Sequence, residues 1–232
     1  MKKIDLIIPT RNRIAKLNRM LDSIRFDKLL FDLSVVIVTD NDSVTAEKMK
    51  LDSRISKVIE VNSTNGEPNG SVYCRNQGTM LADDGVSWGV DDIIYNGADF
   101  FNIALEKYNS FFPEDDGILS FNVLNNKTRV RKRTQSRCGM GLAGQKWLLQ
   151  YPNKQMFCPE YFHFSCQEIV RLGLELKKLK FAEELVVYHL SPAAGEAVDI
   201  THVDARKWRN RDKSISNSRA LNGLIWGLGC GK

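Results

Sequence analysis

The chain has 232 residues, 43% hydrophobic and 26% charged, with 33 Lys/Arg against 28 Asp/Glu. That composition can bury a core, and it excludes a disordered tail, a collagenous chain and a disulfide miniprotein. No apolar run approaches the ~18–20 residues of a membrane span, and Asp5, Pro9 and Arg11 interrupt the apolar start too early for a signal peptide. The five cysteines (Cys74, Cys138, Cys158, Cys166, Cys230) are odd in number and share no CxxC spacing. They read as reduced thiols of a cytoplasmic protein without a zinc site. Residues 201–232 carry seven Lys/Arg and two Asp/Glu, a net of +5 that equals the whole chain's charge. The stretch Lys127–Arg137 adds six basic residues and no acid. Such stretches are solvated loops or attract phosphate on a nucleotide, a nucleic acid or a lipid headgroup.

In chain order, Ile4–Ile8 reads as a strand ended by Pro9, and Leu17, Met20, Leu21 and Ile24 recur at helical spacing. Leu33–Val38 is a buried strand, followed by the turn Asp40–Ser43 with helix-capping chemistry. A short helix around Val44–Lys50 leads to a strand at Lys57–Val61. A helix at Cys74–Ala82, a strand at Gly85–Gly89, a helix at Ala98–Tyr108 and a strand at Gly117–Asn122 complete the regular part. Beyond it come the basic segment, a Gly-rich stretch and an aromatic cluster (Phe157, Tyr161, Phe162, Phe164). A helix at Gln167–Leu176 and a strand at Glu184–Tyr188, ending at His189, then restore order. The tail is partly helical from Asp204. This βαβ rhythm predicts an α/β fold with a mostly parallel sheet flanked by helices, and ligands at the carboxyl ends of its strands.

Gly139–Gly144 matches GxGxxG, but arginines rather than a buried strand precede it, so it reads as a loop where backbone approaches something closely. There is no P-loop and no HExxH. Two acidic pairs bracket the apolar segment GVSWGV. Asp83-Asp84 reads as a solvated turn, whereas Asp91-Asp92 follows a strand, where a carboxylate pair suits Mg²⁺ or Mn²⁺ shared with a diphosphate. Trp88 and Trp147 read as packing, and His163 and His202 as structural or exposed.

The ordered pieces IIPTRNR (7–13), VIVTDNDS (36–43), CRNQG (74–78), GVDD (89–92), CQEI (166–169) and VVYH (186–189) resemble the GT-A nucleotide-sugar glycosyltransferases, particularly the inverting family 2 type, over residues 4–190. The resemblance implies a single-domain, Rossmann-like GT-A fold with a small second sheet region in the C-terminal half. It implies a nucleotide-binding half (1–122), an acceptor-binding half (123–200) and a basic extension (201–232) on or beside them. Pro9, Thr10, Arg11, Arg13, Asp40, Arg75, Asp91 and Asp92 would bind the nucleotide sugar, Asp40 by accepting the imide N–H of a uracil or thymine ring. Asp92 and His189 would hold Mn²⁺ or Mg²⁺. Two departures stand out. Val90 takes the first place of an acidic triplet, and the late Asp-x-Glu motif keeps only Glu168, which is either the catalytic base or a brace for its helix.

The activity implied is transfer of a sugar from a UDP- or dTDP-type donor to an acceptor hydroxyl with inversion. The acceptor is open: a glycan, a lipid-linked sugar, a protein, or a modified DNA base reached through segments 127–137 and 205–213. A non-catalytic nucleic-acid-binding module is a rival, without a helix-turn-helix, zinc finger or RNA-recognition motif. A nucleotidyltransferase is another, without a Gly-rich loop after the first strand.

Overall fold

The apolar run after the N-terminus becomes β1 (Lys3–Thr10), and LSVVIV lies within β2 (Asp32–Asp40). Both are buried on two faces, so their side chains feed two separate cores. Ile4, Leu6, Ile8, Val35 and Ile37 pack into one, and Ile7, Val36 and Val38 into the other. That two-sided burial explains apolar runs without alternation. On the first face lie α1 (Ile14–Asp22) and α4 (Phe100–Phe111), through Leu17, Met20 and Leu21 and through Phe100, Phe101, Ala104 and Tyr108. On the second lie α3 (Ser71–Met80), α5 (Gln145–Leu148) and α6 (Cys166–Glu175), led by Val72, Trp147 and Leu172. The coordinates, a computed structural model, describe residues 1, 3–124, 139–163 and 166–229. The basic segment Lys127–Arg137, Phe164, Cys138 and Cys230 lie outside the described residues.

Eight strands form one sheet in the order β3-β2-β1-β4-β7-β6-β8-β5. The others are β3 (Lys57–Val61), β4 (Gly85–Trp88), β5 (Ile93–Tyr95), β6 (Ile118–Leu124), β7 (Gly141–Ala143) and β8 (Leu179–His189). β1 pairs in parallel with β2 and β4, β2 with β3, and β6 with β8, while β7 and β5 run antiparallel to their neighbours. The fold is therefore α/β with a mostly parallel sheet, as expected. The small second sheet region expected in the C-terminal half is not separate, because β4–β7 pairing joins that half to the same sheet.

β1 has β2 on one side and β4 on the other, so the strand order reverses at β1, and the loops after β1, β2 and β4 open on one edge. Register then brings a distant residue to that edge. Ile93 of β5 pairs with His189 at the end of β8, and the Leu190 N–H donates to the Asp92 carbonyl at 2.7 Å.

Of three local expectations, two change and the second, the capped helix after β2, holds. The GxGxxG stretch is the short strand β7 leading into Gly144, where a Cβ would collide with Tyr108 and the Asp115 backbone. The acidic turn after β2 is followed by α2 (Ser43–Lys50), with Asp42 as its N-cap. The tail helix, α7 (Ile200–Leu221), starts before Asp204, capped by the Asp199 side chain. Trp88 and Trp147 are both fully buried, and Asp83-Asp84 precedes β4 at the far end from Asp91-Asp92. No helix among the described residues is long and apolar enough to cross a membrane.

Candidate active site

A cleft of ≈ 1020 Å³ opens at the carboxyl ends of β1, β2 and β4. Pro9, Thr10, Arg11, Arg13, Asp40, Arg75, Asp91, Asp92 and His189 all line it. Its floor is an acid–base cluster. Thr10 Oγ1 donates to Asp91 Oδ2 at 2.7 Å, and Arg13 Nη1 donates to Asp91 Oδ1 at 2.9 Å and Asp92 Oδ2 at 3.4 Å. The other side of Asp92 meets His189, whose Nε2 lies 3.2 Å from Oδ1. Arg13 also grips Asp199 with two parallel bonds, Nε–Oδ2 at 2.9 Å and Nη2–Oδ1 at 2.7 Å. That fork geometry suits a guanidinium better than an ammonium.

Environment separates the two neighbouring aspartates. Burial pushes Asp91 up to about 6, against the pull of Arg13. Burial acts on Asp92 too, but hydrogen bonds from His189 and His202, with the Arg13 charge, hold it well below the ordinary carboxylate range. Although burial opposes its charge, the carboxylates of Asp91, Asp199 and Asp92 keep the Arg13 guanidinium above its usual value. Asp92 is thus the anion of the pair over the widest pH range.

The loop after β2 is built by short polar side chains. Asp42 accepts from the Asn12 N–H at 2.6 Å and from Thr45 N at 3.1 Å, tying the loop after β1 to the start of α2. Asn12 and Asn41 both take positive φ (55° and 49°), a turn conformation that asparagine tolerates. Asp40 accepts from Asn69 N at 3.0 Å, Asn69 Nδ2 at 2.9 Å and Gly70 N at 3.0 Å. Cys74 adds a side-chain hydrogen bond to it, so the roughly four acceptor sites of a carboxylate are engaged. Arg75 is buried, donates from Nη2 to the Gly89 carbonyl at 3.0 Å and lies over the Phe157 ring at 5.5 Å.

Glu168 departs from one of its two sequence expectations. It is fully buried and does not line the cleft. Oε1 accepts from Tyr161 Oη at 2.7 Å, Arg219 Nε at 3.0 Å and Arg171 Nη1 at 3.1 Å, and Oε2 accepts from Trp226 N at 3.0 Å. With four donors on it and no place in the described cleft lining, it braces α6 against the C-terminal segment, the second of its two expected roles.

Sequence reasoning missed what α7 brings. His202, read as structural or exposed, stands in the cleft with Nε2 3.5 Å from Asp92 Oδ2 and Nδ1 2.8 Å from Asp199 Oδ1. Arg11 pairs with Asp204 at 2.6 Å, Lys16 with Asp199 at 2.7 Å and Arg19 with Glu196 at 3.0 Å. The signal was available as the spacing Asp199-x-x-His202, a capping box whose side chains and backbone bond reciprocally. His163 also lines the cleft, with Nδ1 3.2 Å from Ser71 Oγ.

The donor set fits a divalent ion held partly by a ligand. Asp92 and His189 present one carboxylate and one imidazole side by side. Among the described residues no three His, Cys, Asp or Glu side chains gather to hold an ion by themselves. Further oxygens would have to come from water and a bound diphosphate, the usual habit of Mg²⁺ and of metal sites serving phosphates.

No protein-family model and no curated protein matches the sequence. Solved structures do match the fold. TarS 1–349 from S. aureus, in complex with UDP-GlcNAc, superposes with a TM-score of 0.60 at 16% identity, covering 86% of this chain and 60% of that one. The mannosyltransferase PcManGT from Pyrobaculum calidifontis, in complex with GDP-Man and Mn²⁺, gives 0.58 at 14% identity over 94% of this chain and 64% of that one. Mannosyl-3-phosphoglycerate synthase from Rubrobacter xylanophilus gives 0.62 at 11% identity over 95% and 75%. The chain spans only 37% of the longer TarS chain. Its fold is the GT-A fold.

Proposed function

We propose that this chain is a glycosyltransferase that moves a sugar from a nucleoside-diphosphate sugar, of UDP or dTDP type, to an acceptor hydroxyl, with Mn²⁺ or Mg²⁺ as cofactor. The observation that carries the reading is the meeting of Thr10, Arg13, Asp40, Asp91, Asp92 and His189, drawn from four separate stretches of sequence, around one cleft. The fold neighbours that hold UDP-GlcNAc, or GDP-Man with Mn²⁺, support it.

In this reading residues 1–122 hold the nucleotide, 123–200 face the acceptor, and 201–232 add α7 to the cleft wall. Asp40 takes a base N–H in exchange for one of its present donors, while Asp91 lies toward the ribose with Thr10 fixing its carboxylate. Asp92 and His189 would hold the metal, which when bound neutralises charge developing on the leaving nucleoside diphosphate. Arg13 keeps Asp91 and Asp92 apart and partly neutralised until a ligand arrives. Transfer with inversion stays part of the proposal, as the resemblance to the inverting type implies; Glu168, buried and absent from the described cleft lining, is not assigned as its base.

A thermal-shift screen with UDP-, dTDP- and GDP-sugars plus Mn²⁺ tests the proposal. A ligand at 100 times its Kd adds about 2.7 kcal/mol to the folded state. A uridine or thymidine donor is expected to raise Tm in a Mn²⁺-dependent way. No rise with any donor would overturn the reading. Release of a nucleoside diphosphate, not of diphosphate from a triphosphate, separates it from a nucleotidyltransferase.

A further inference from the structure

We propose that Arg206 and Arg209 of α7 form an anion subsite in the cleft, built to take a phosphoryl group of a bound ligand. α7 lines the cleft with Thr201, His202, Asp204, Ala205, Arg206 and Arg209; Asp204 is paired with Arg11, and His202, Ala205, Arg206 and Arg209 share one face. They fall at i, i+3, i+4 and i+7, one stripe of a helix. At 1.5 Å rise per residue, the stripe carries the cleft's polar lining roughly 10 Å along the helix from His202.

The other arginines of the cleft are already committed. Arg11 is paired with Asp204, Arg13 with Asp91, Asp92 and Asp199, and Arg75 donates to a backbone carbonyl. Arg206 and Arg209 are exposed to the cleft, and no carboxylate among the described residues lies within ion-pair distance of either. The helix beneath them is fixed. Trp208 stacks on Phe162 at 5.2 Å and 24°, and the Arg211 guanidinium covers Trp208 at 5.2 Å. Asp212, fully buried, accepts the Phe162 N–H at 3.1 Å and the His163 N–H at 2.7 Å. Two guanidinium forks on a clamped helix, with no carboxylate partner among the described residues, are available to a planar or tetrahedral oxyanion. The tail's basic residues thus divide. Arg206 and Arg209 serve the cleft, while Lys213 is exposed on the same helix and is not part of the cleft lining.

The identity of the ligand rests on the glycosyltransferase reading, which offers two sources of the same chemistry: the diphosphate of the donor or a phosphate carried by the acceptor. Calorimetric titration decides. Wild type, R206A/R209A and R206K/R209K are titrated with UDP, with uridine, and with inorganic phosphate, the last with and without saturating UDP and Mn²⁺. Lys213→Ala controls for loss of general charge, and unfolding curves control for folding. The double alanine variant is expected to bind one phosphate ligand at least about 10-fold more weakly, as loss of charge-assisted hydrogen bonds implies, with the lysine variant between it and wild type. A loss for UDP with uridine unchanged assigns the donor diphosphate. A loss confined to phosphate on the UDP-saturated protein assigns the acceptor. Equal affinities for every ligand in wild type and double variant overturn the subsite. A wild type that binds phosphate but no UDP sinks the uridine-donor reading and leaves the subsite to the phosphate arm alone. A wild type that binds none of these overturns both.

Discussion

Asp92 in the cleft floor and Glu168 behind α6 are both nearly inaccessible carboxylates, and each is approached by arginine. They differ in what faces them. Asp92 meets two imidazoles and an open cleft, so a ligand can alter its surroundings. Glu168 meets a phenol, two guanidinium groups and a backbone N–H, and is not part of the described cleft lining. Burial and charge alone therefore do not mark a working acid; room beside it for a substrate does.

The largest test of that contrast is Asp92→Asn. Turnover and Mn²⁺-dependent nucleotide binding are expected to drop together, turnover by about 10²–10³-fold as for loss of a key electrostatic contact, with the circular dichroism spectrum unchanged. Full activity of this variant with metal present would remove Asp92 from the site. Glu168→Gln supplies the opposite reading. It weakens the Arg171 and Arg219 pairs, and because both arginines keep some access to water the cost is about 2–3 kcal/mol of stability, below the range for fully buried pairs. Turnover per folded molecule should stay within a few-fold; a general base would lose about 10²–10⁴-fold.

A third test concerns how α7 is held. Burial opposes it, but Arg13 and Lys16 hold Asp199 well below the ordinary carboxylate range. Its contribution is fully present above the unfolded pKa of about 3.9 and is lost as pH falls through the lower folded value. Asp199→Asn should thus lower stability at pH 7 and flatten the acid-side decline measured by urea unfolding at several pH values. An unaltered acid limb would show that these pairs do not anchor the helix. The smallest effect belongs to Asp42→Ala, which removes the α2 cap and the bond to Asn12. A loss of about 1–2 kcal/mol is expected, read as a shift in the urea midpoint.

The contrast also explains what was legible in the sequence. Asp40 ends β2, and Asp91 and Asp92 follow β4 after two residues, so the hydropathy of those strands placed them at the sheet edge. His189 was found through its ordered motif, and its register against Ile93 supplies the reason. α7 could not be read the same way. Its only buried positions are Asp212 and Ser216, and it docks by ion pairs and one aromatic stack instead of an apolar stripe. A pattern search tuned to hydrophobic spacing sees there only a charged tail. β5 and β7, three residues each, are too short to carry a period and exist because longer neighbours pair with them. Glu168 was found by motif order, which is blind to which side of a helix touches the ligand.

The ion pairs between the loop after β1 and α7 have a consequence for biosynthesis. Arg11, Arg13, Lys16 and Arg19 leave the ribosome early, and their acidic partners Asp204, Asp199 and Glu196 follow nearly two hundred residues later. Until then Arg13 has only Asp91 and Asp92 to answer it. A chain halted near residue 195 would own the sheet and the acidic floor but lack the cleft wall that α7 supplies.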